Sequence, residues 1–211
     1  MVDGPVVAVR GEAYREVPPE LAQFAVTATA RDRDRETTLS RLAERAAAVR
    51  VLLDGYGPMI VRRETGELRV RPETRRSGER IVAYHGSVST TVTVGDFDPL
   101  GELMLRLADQ DQVEVSGPWW SLRPDSPVHR EARHAAIADA LQRAREYAEA
   151  LGARITALVE LADADTDRPM LARMAYAAEA GGAPELELEP RQQTVQAAVH
   201  ARFTISEPVL D

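Results

Sequence analysis

Cysteine is absent from the 211 residues of this chain, and so is lysine. The first absence excludes disulfides, thiolate zinc sites, iron–sulfur clusters and a cysteine nucleophile, and leaves the redox compartment open. The second excludes Schiff-base chemistry and the lysine of a phosphate-binding loop. Every basic residue apart from histidine is therefore Arg, a composition bias before it is a choice of guanidinium chemistry. Positive charge is also in short supply: the net charge is −8. Affinity for a phosphate backbone depends on displacing counterions from a positive surface, so no nucleic-acid partner is expected. No apolar run approaches the roughly 20 residues that cross a bilayer, so no membrane span is expected either. The start, MVDGPVVAVRGEAY, has no basic opening, no apolar run of signal-peptide length and no small-residue cleavage site. As given, the chain reads as cytoplasmic, and as periplasmic or envelope-located if a leader was removed.

What is present suffices for a substantial core. The chain is 44% hydrophobic, and its length suits one large domain or two small ones; we read a single domain over residues 1–211. In LAQFAVTATAR, residues 21–31, Ala22, Phe24, Val26 and Ala28 alternate with Leu21, Gln23, Ala25, Thr27 and Thr29, which predicts a strand burying the first set. Leu39, Leu42, Ala46, Val49 and Leu53 recur at three- and four-residue steps and predict a helix over 36–53, ended by Gly55 and Gly57. Strands are predicted at 6–13, 59–63, 68–71, 80–94, 113–122 and 155–161, and a short helix at 100–108. Residues 162–190, rich in Ala, Pro, Gly and acid, read as a flexible excursion with one weak helix near 170–178. The closing strand lies within 191–206. Hairpins alternating with helices give an α+β fold: a mainly antiparallel sheet with two longer helices packed on one face.

The second of those helices carries Ala132, Ala136, Ala140, Ala144 and Ala148, four residues apart. Such a stripe brings the helix backbone close to a neighbour, either a sheet within the fold or a partner helix. Asp125 or Ser126 can cap it, with Pro127 in its first turn.

The constellations that could carry chemistry are few. His129 and His134 stand five apart, about 140° on a helix, so they cannot share a metal as an i, i+4 pair does. His85 and His200 fall in predicted strands and could meet across the sheet, but satisfied or solvent-facing histidines are the plainer reading. Asp163, Asp165 and Asp167 begin like a calcium loop, yet Arg168 stands at its glycine position and Met174 at its closing glutamate. Arg69, Arg71, Arg75, Arg76 and Arg80 crowd one hairpin tip that could clamp an anion, because Arg offers a rigid fork of donors, or could simply be an exposed turn. Trp119 and Trp120 are adjacent in a strand, so their rings point to opposite faces and only one joins a single core. Gly117 and Pro118 suggest an edge or a bulge there. The other ring is a candidate self-assembly anchor, or is covered by a loop within the monomer. No nucleophile elbow, phosphate loop, dinucleotide fingerprint or zinc-protease helix occurs, so neither an enzyme nor a cofactor is expected.

Several pieces in order, VAVRGEA, VPPELAQFAVTATA, LLDGYG, IVAYHGSVSTTVTVGDFDPLGELM, VEVSGPWWSL, AIADALQRAREYAEALGARI and VQAAVHARFTI, resemble the SIMPL-domain family over about residues 6–206. The resemblance implies an α+β fold and, from periplasmic immunogenic relatives, assembly into large ring-like or channel-like homo-oligomers. It implies no catalytic residues. In that family an aromatic, a polar and an aliphatic residue usually follow one another; Trp120, Ser121 and Leu122 fit, which leaves Trp119 as the extra, outward ring. The expectation is a non-enzymatic, self-assembling interaction protein. The alternative is a small-ligand or anion-binding module built on the Arg69–Arg80 hairpin.

Overall fold

The computed structural model describes residues 4–74, 80–164 and 186–209. In chain order these form β1 (Val6–Val17), β2 (Leu21–Asp32), α1 (Arg35–Asp54), β3 (Ile60–Thr74), β4 (Ile81–Val94), α2 (Leu100–Ala108), β5 (Val113–Ser121), α3 (Pro127–Ala150), β6 (Ile155–Asp163) and β7 (Gln193–Ile205). The fold is α+β, and every strand pairing among the described residues is antiparallel. The pairings close into two sheets where one was expected, with orders β1-β7-β6 and β3-β4-β2-β5. The reason is a long-range pairing that local patterning does not reveal: β1 joins β7, from the other end of the chain, without a break in register from Val6↔Thr204 to Val17↔Gln193. Contacts accordingly gather into two compact units, one built on each sheet.

In the unit of the four-stranded sheet, the alternation of β2 is realised residue by residue. Ala22, Phe24, Val26, Ala28 and Ala30 are buried, and Gln23, Ala25, Thr27 and Thr29 remain partly open. Ala22, Phe24 and Val26 meet Val92 and Val94 of β4, Val49 and Leu53 of α1, and Leu100, Leu103 and Leu107 of α2 in one core, while Ala28 and Ala30 pack with Leu42 in a second cluster. Asp34 caps α1, its carboxylate accepting from the Thr37 backbone N–H at 2.7 Å and the Thr37 hydroxyl at 2.9 Å. The buried face of α1 carries Leu42, Val49 and Leu53 as expected and departs from the expected set in its first turn. Thr38 is buried with its hydroxyl donated to the Asp34 carbonyl at 2.8 Å, whereas Leu39 is exposed. A back-bonded threonine is as short and self-satisfied as an apolar side chain, which hydrophobic periodicity alone does not register. The two brief strands expected at 59–63 and 68–71 are one strand, β3, because its ladder with β4 carries on across a register shift between Thr65 and Leu68. Of the excursion, Leu188 packs against this unit's core; the weak helix expected near 170–178 lies outside the described residues.

In the unit of the three-stranded sheet, α3 lies on β1 and β7. Ala132, Ala136, Ala140, Ala144 and Ala148 are its buried residues. A methyl group built on Gly11 of β1 would stand 2.1 Å from the Ala136 carbonyl oxygen and 2.5 Å from the Ala140 nitrogen. The stripe therefore serves sheet packing, and glycine at 11 is required by the approach of the helix backbone.

Candidate functional site

Strand β5 ends the four-stranded sheet, and its ladder with β2 shifts register between Gln23 and Ala25. Gly117 lies opposite this shift with φ at +121° and precedes a cis bond to Pro118. Edge and bulge thus coincide where a residue without an N–H can sit. Beyond them the two tryptophans part. Trp120 pairs with Ala22 on the helix-covered face, packs against the core, and meets the Phe97 ring edge-on, with centroids 4.9 Å apart and planes at 79°. Trp119 pairs with Gln23 on the open face and is 40% exposed.

The registers place the rest of that open face. Trp119, Gln23, Thr93 and Arg62 form one row across β5, β2, β4 and β3. Ser116, Ala25, Thr91 and Glu64 form the next. Toward the β3–β4 hairpin come Thr29, Ser87 and Arg69, and then Arg31, His85 and Arg71. The face is lined centrally by hydroxyls, with the row of Trp119 and Arg62 at one end and the row of Arg31, His85 and Arg71 at the other.

The expected arginines separate in this frame. Arg69 pairs with Glu67, and Arg71 has no ion-pair or hydrogen-bond partner among the described residues. Arg80 is exposed just before β4. Arg75 and Arg76 lie outside the described residues. The structure adds Arg31, whose Nε and Nη2 donate to Glu73 Oε2 and Oε1 at 2.7 and 3.0 Å. Glu73's carboxyl is held below the ordinary range first by that bond, with the nearby His85 and Arg71 adding to it. The signal for Arg31 was available in sequence: it continues the odd-numbered, outward-facing set of β2. His85 and His200 are not cross-strand neighbours, because their strands belong to different sheets. Among the described residues no group of three His, Asp or Glu side chains is placed to hold a metal ion.

The sheet edges carry devices that blunt strand addition. On β1 the Glu12 N–H is donated to Asp139 Oδ2 of α3 at 2.9 Å, and Asp139 is itself held by Arg143 at 2.9 Å. Strand β6 shifts register twice against β7. Strand β5 has its bulge and Pro118, while β3 has Pro72, three register shifts and charges of both signs. Between α1 and α2 an open hollow is lined by Val51, Leu52, Tyr56 and Arg106. There Arg106 donates to the Tyr56 hydroxyl at 2.9 Å, which donates to Glu102 at 2.8 Å. The bond to the Tyr56 hydroxyl, and then the Glu102 carboxylate, hold the Arg106 guanidinium above its ordinary range.

The family model SIMPL, described as protein of unknown function (DUF541), matches residues 7–203. The chain belongs to the SIMPL family. No curated protein matches this SIMPL chain. Among solved structures, one from Burkholderia cenocepacia, provisionally described as an amidohydrolase/peptidase, is similar at 15% identity with a TM-score of 0.29. The match covers 65% of this chain and 36% of that one, and carries no argument about activity. No helix among the described residues is long and apolar enough to cross a membrane.

Proposed function

We propose that this SIMPL protein is a non-enzymatic interaction module that assembles with copies of itself, anchored by Trp119. The observation that supports this most is the division of labour between the adjacent tryptophans. Trp120 packs against the core, while Trp119 is not part of it and presents an indole on a polar sheet face. Association can remove from water the 40% of Trp119 that the single chain leaves exposed, and Trp is over-represented among residues that dominate interface energetics. With all four edges blunted, contact through a sheet face is favoured over strand addition. A closed, symmetric assembly is the usual outcome for identical chains. The net charge of −8 weighs against a nucleic-acid partner.

The test is Trp119→Glu. The variant is expected to keep the far-ultraviolet circular dichroism of the parent, because Trp120 still fills the core, and to show a lower mass by light scattering. An unchanged mass would remove Trp119 from the interface.

A further inference from the structure

The hairpin end of the same open face carries a second feature, apart from Trp119. In an acidic chain, Arg31, His85 and Arg71 occupy one row on β2, β4 and β3, and Arg69 stands in the neighbouring row of the same face. Strands lie about 4.8 Å apart, so the three Cβ atoms of that row span roughly 10 Å. Arg31 is fixed: its fork closes on Glu73 through two parallel hydrogen bonds of 2.7 and 3.0 Å. A guanidinium held in this way is pre-organised rather than free to wander. Arg69 is likewise engaged by Glu67. Arg71, at the β3 end of the row, has no hydrogen-bond or ion-pair partner among the described residues and feels the Glu73 carboxylate only at longer range. The three arginines against Glu67 and Glu73 leave one positive charge in excess before His85 is counted.

From this juxtaposition we propose that the Arg31–His85–Arg71 row is an oxyanion-binding site, taking a phosphate or carboxylate group on the Arg71 fork with the His85 ring as second donor and Arg31 as a fixed positive neighbour. Glu73 is a positioning residue: it orients Arg31 and does not meet the anion. The site lies on the sheet rather than in the hairpin loop, and two of its three members come from outside the Arg-rich segment. It is independent of Trp119, which sits at the opposite end of the face.

The experiment is a titration of the intact chain with inorganic phosphate at constant ionic strength, followed by the His85 ring and arginine Nε resonances. Acetate is run in parallel to distinguish a phosphate from a carboxylate source, and chloride as the control. A saturable shift with either oxyanion but not with chloride is expected. Arg71→Gln should weaken binding at least tenfold, and Arg62→Gln, which alters a cation on the same strand and face paired with Glu64, should leave it unchanged. The proposal is overturned by a wild-type response no different from chloride, by Arg71→Gln binding as tightly as wild type, or by equal losses in both variants, which would mean diffuse charge instead of a site.

Discussion

The two units fill their interiors in opposite ways. The four-stranded unit buries bulk: Phe24, Leu53, Leu100, Leu103 and Leu107 are almost wholly inaccessible to water. The three-stranded unit buries smallness on its helix, with five alanines of α3 against a strand that narrows to Gly11. In the first, helices stand off the sheet by the length of a large side chain, and stability follows apolar volume. In the second, a helix backbone comes within contact of a strand, and stability follows fit, because any added atom meets main chain rather than a movable side chain. The same contrast reaches the surface. Close approach lets Asp139 of α3 cap an N–H on the β1 edge, whereas in the other unit the face of β2 and β4 away from the core stays partly exposed.

This difference can be broken from either side. Phe24→Ala should have the largest effect, a loss of about 3–5 kcal/mol from the transfer and cavity terms together, read by urea denaturation. A loss below about 1 kcal/mol would mean that bulk does not hold that unit. Gly11→Ala removes nothing and adds one methyl, yet should cost about 1–3 kcal/mol, since the helix must retreat from its carbonyl and amide contacts. A neutral Gly11→Ala would erase the distinction between the units. The smallest effect is expected at the cap of α1. The Thr37 backbone N–H, and then its hydroxyl, hold the Asp34 carboxyl below the ordinary aspartate range. A folded value below the unfolded one adds stability that is present above about pH 4 and is lost as pH falls through the lowered folded value. Asp34→Asn should therefore be less stable than wild type near neutrality, with the gap closing in acid. A gap that persisted at low pH would assign the loss to something other than the charge.

How far the sequence foretold these features depended on whether their cause was local. The alternation of β2, the short helix Leu100–Ala108 and the alanine stripe of α3 were legible, because each depends on a period within one element. That one of the two tryptophan rings faces outward was legible too, from strand parity, but which one it is came only from the family resemblance. The pairing of β1 with β7 was not, since no local pattern records which distant strand completes a ladder, and the second sheet was missed with it. The cationic row was half legible. Arg69 and Arg71 stood out by crowding, but Arg31 and His85 join them only through the registers of β2, β4 and β3. Parity puts Arg31 on the outward face, yet it takes the ladder to say what stands beside it.

The central claim, that this SIMPL chain assembles with itself, is tested most directly by the mass of the untagged protein from light scattering coupled to size-exclusion chromatography at two concentrations. The account predicts a stable mass several times 23.2 kDa at both. A mass of 23.2 kDa at both concentrations would contradict it.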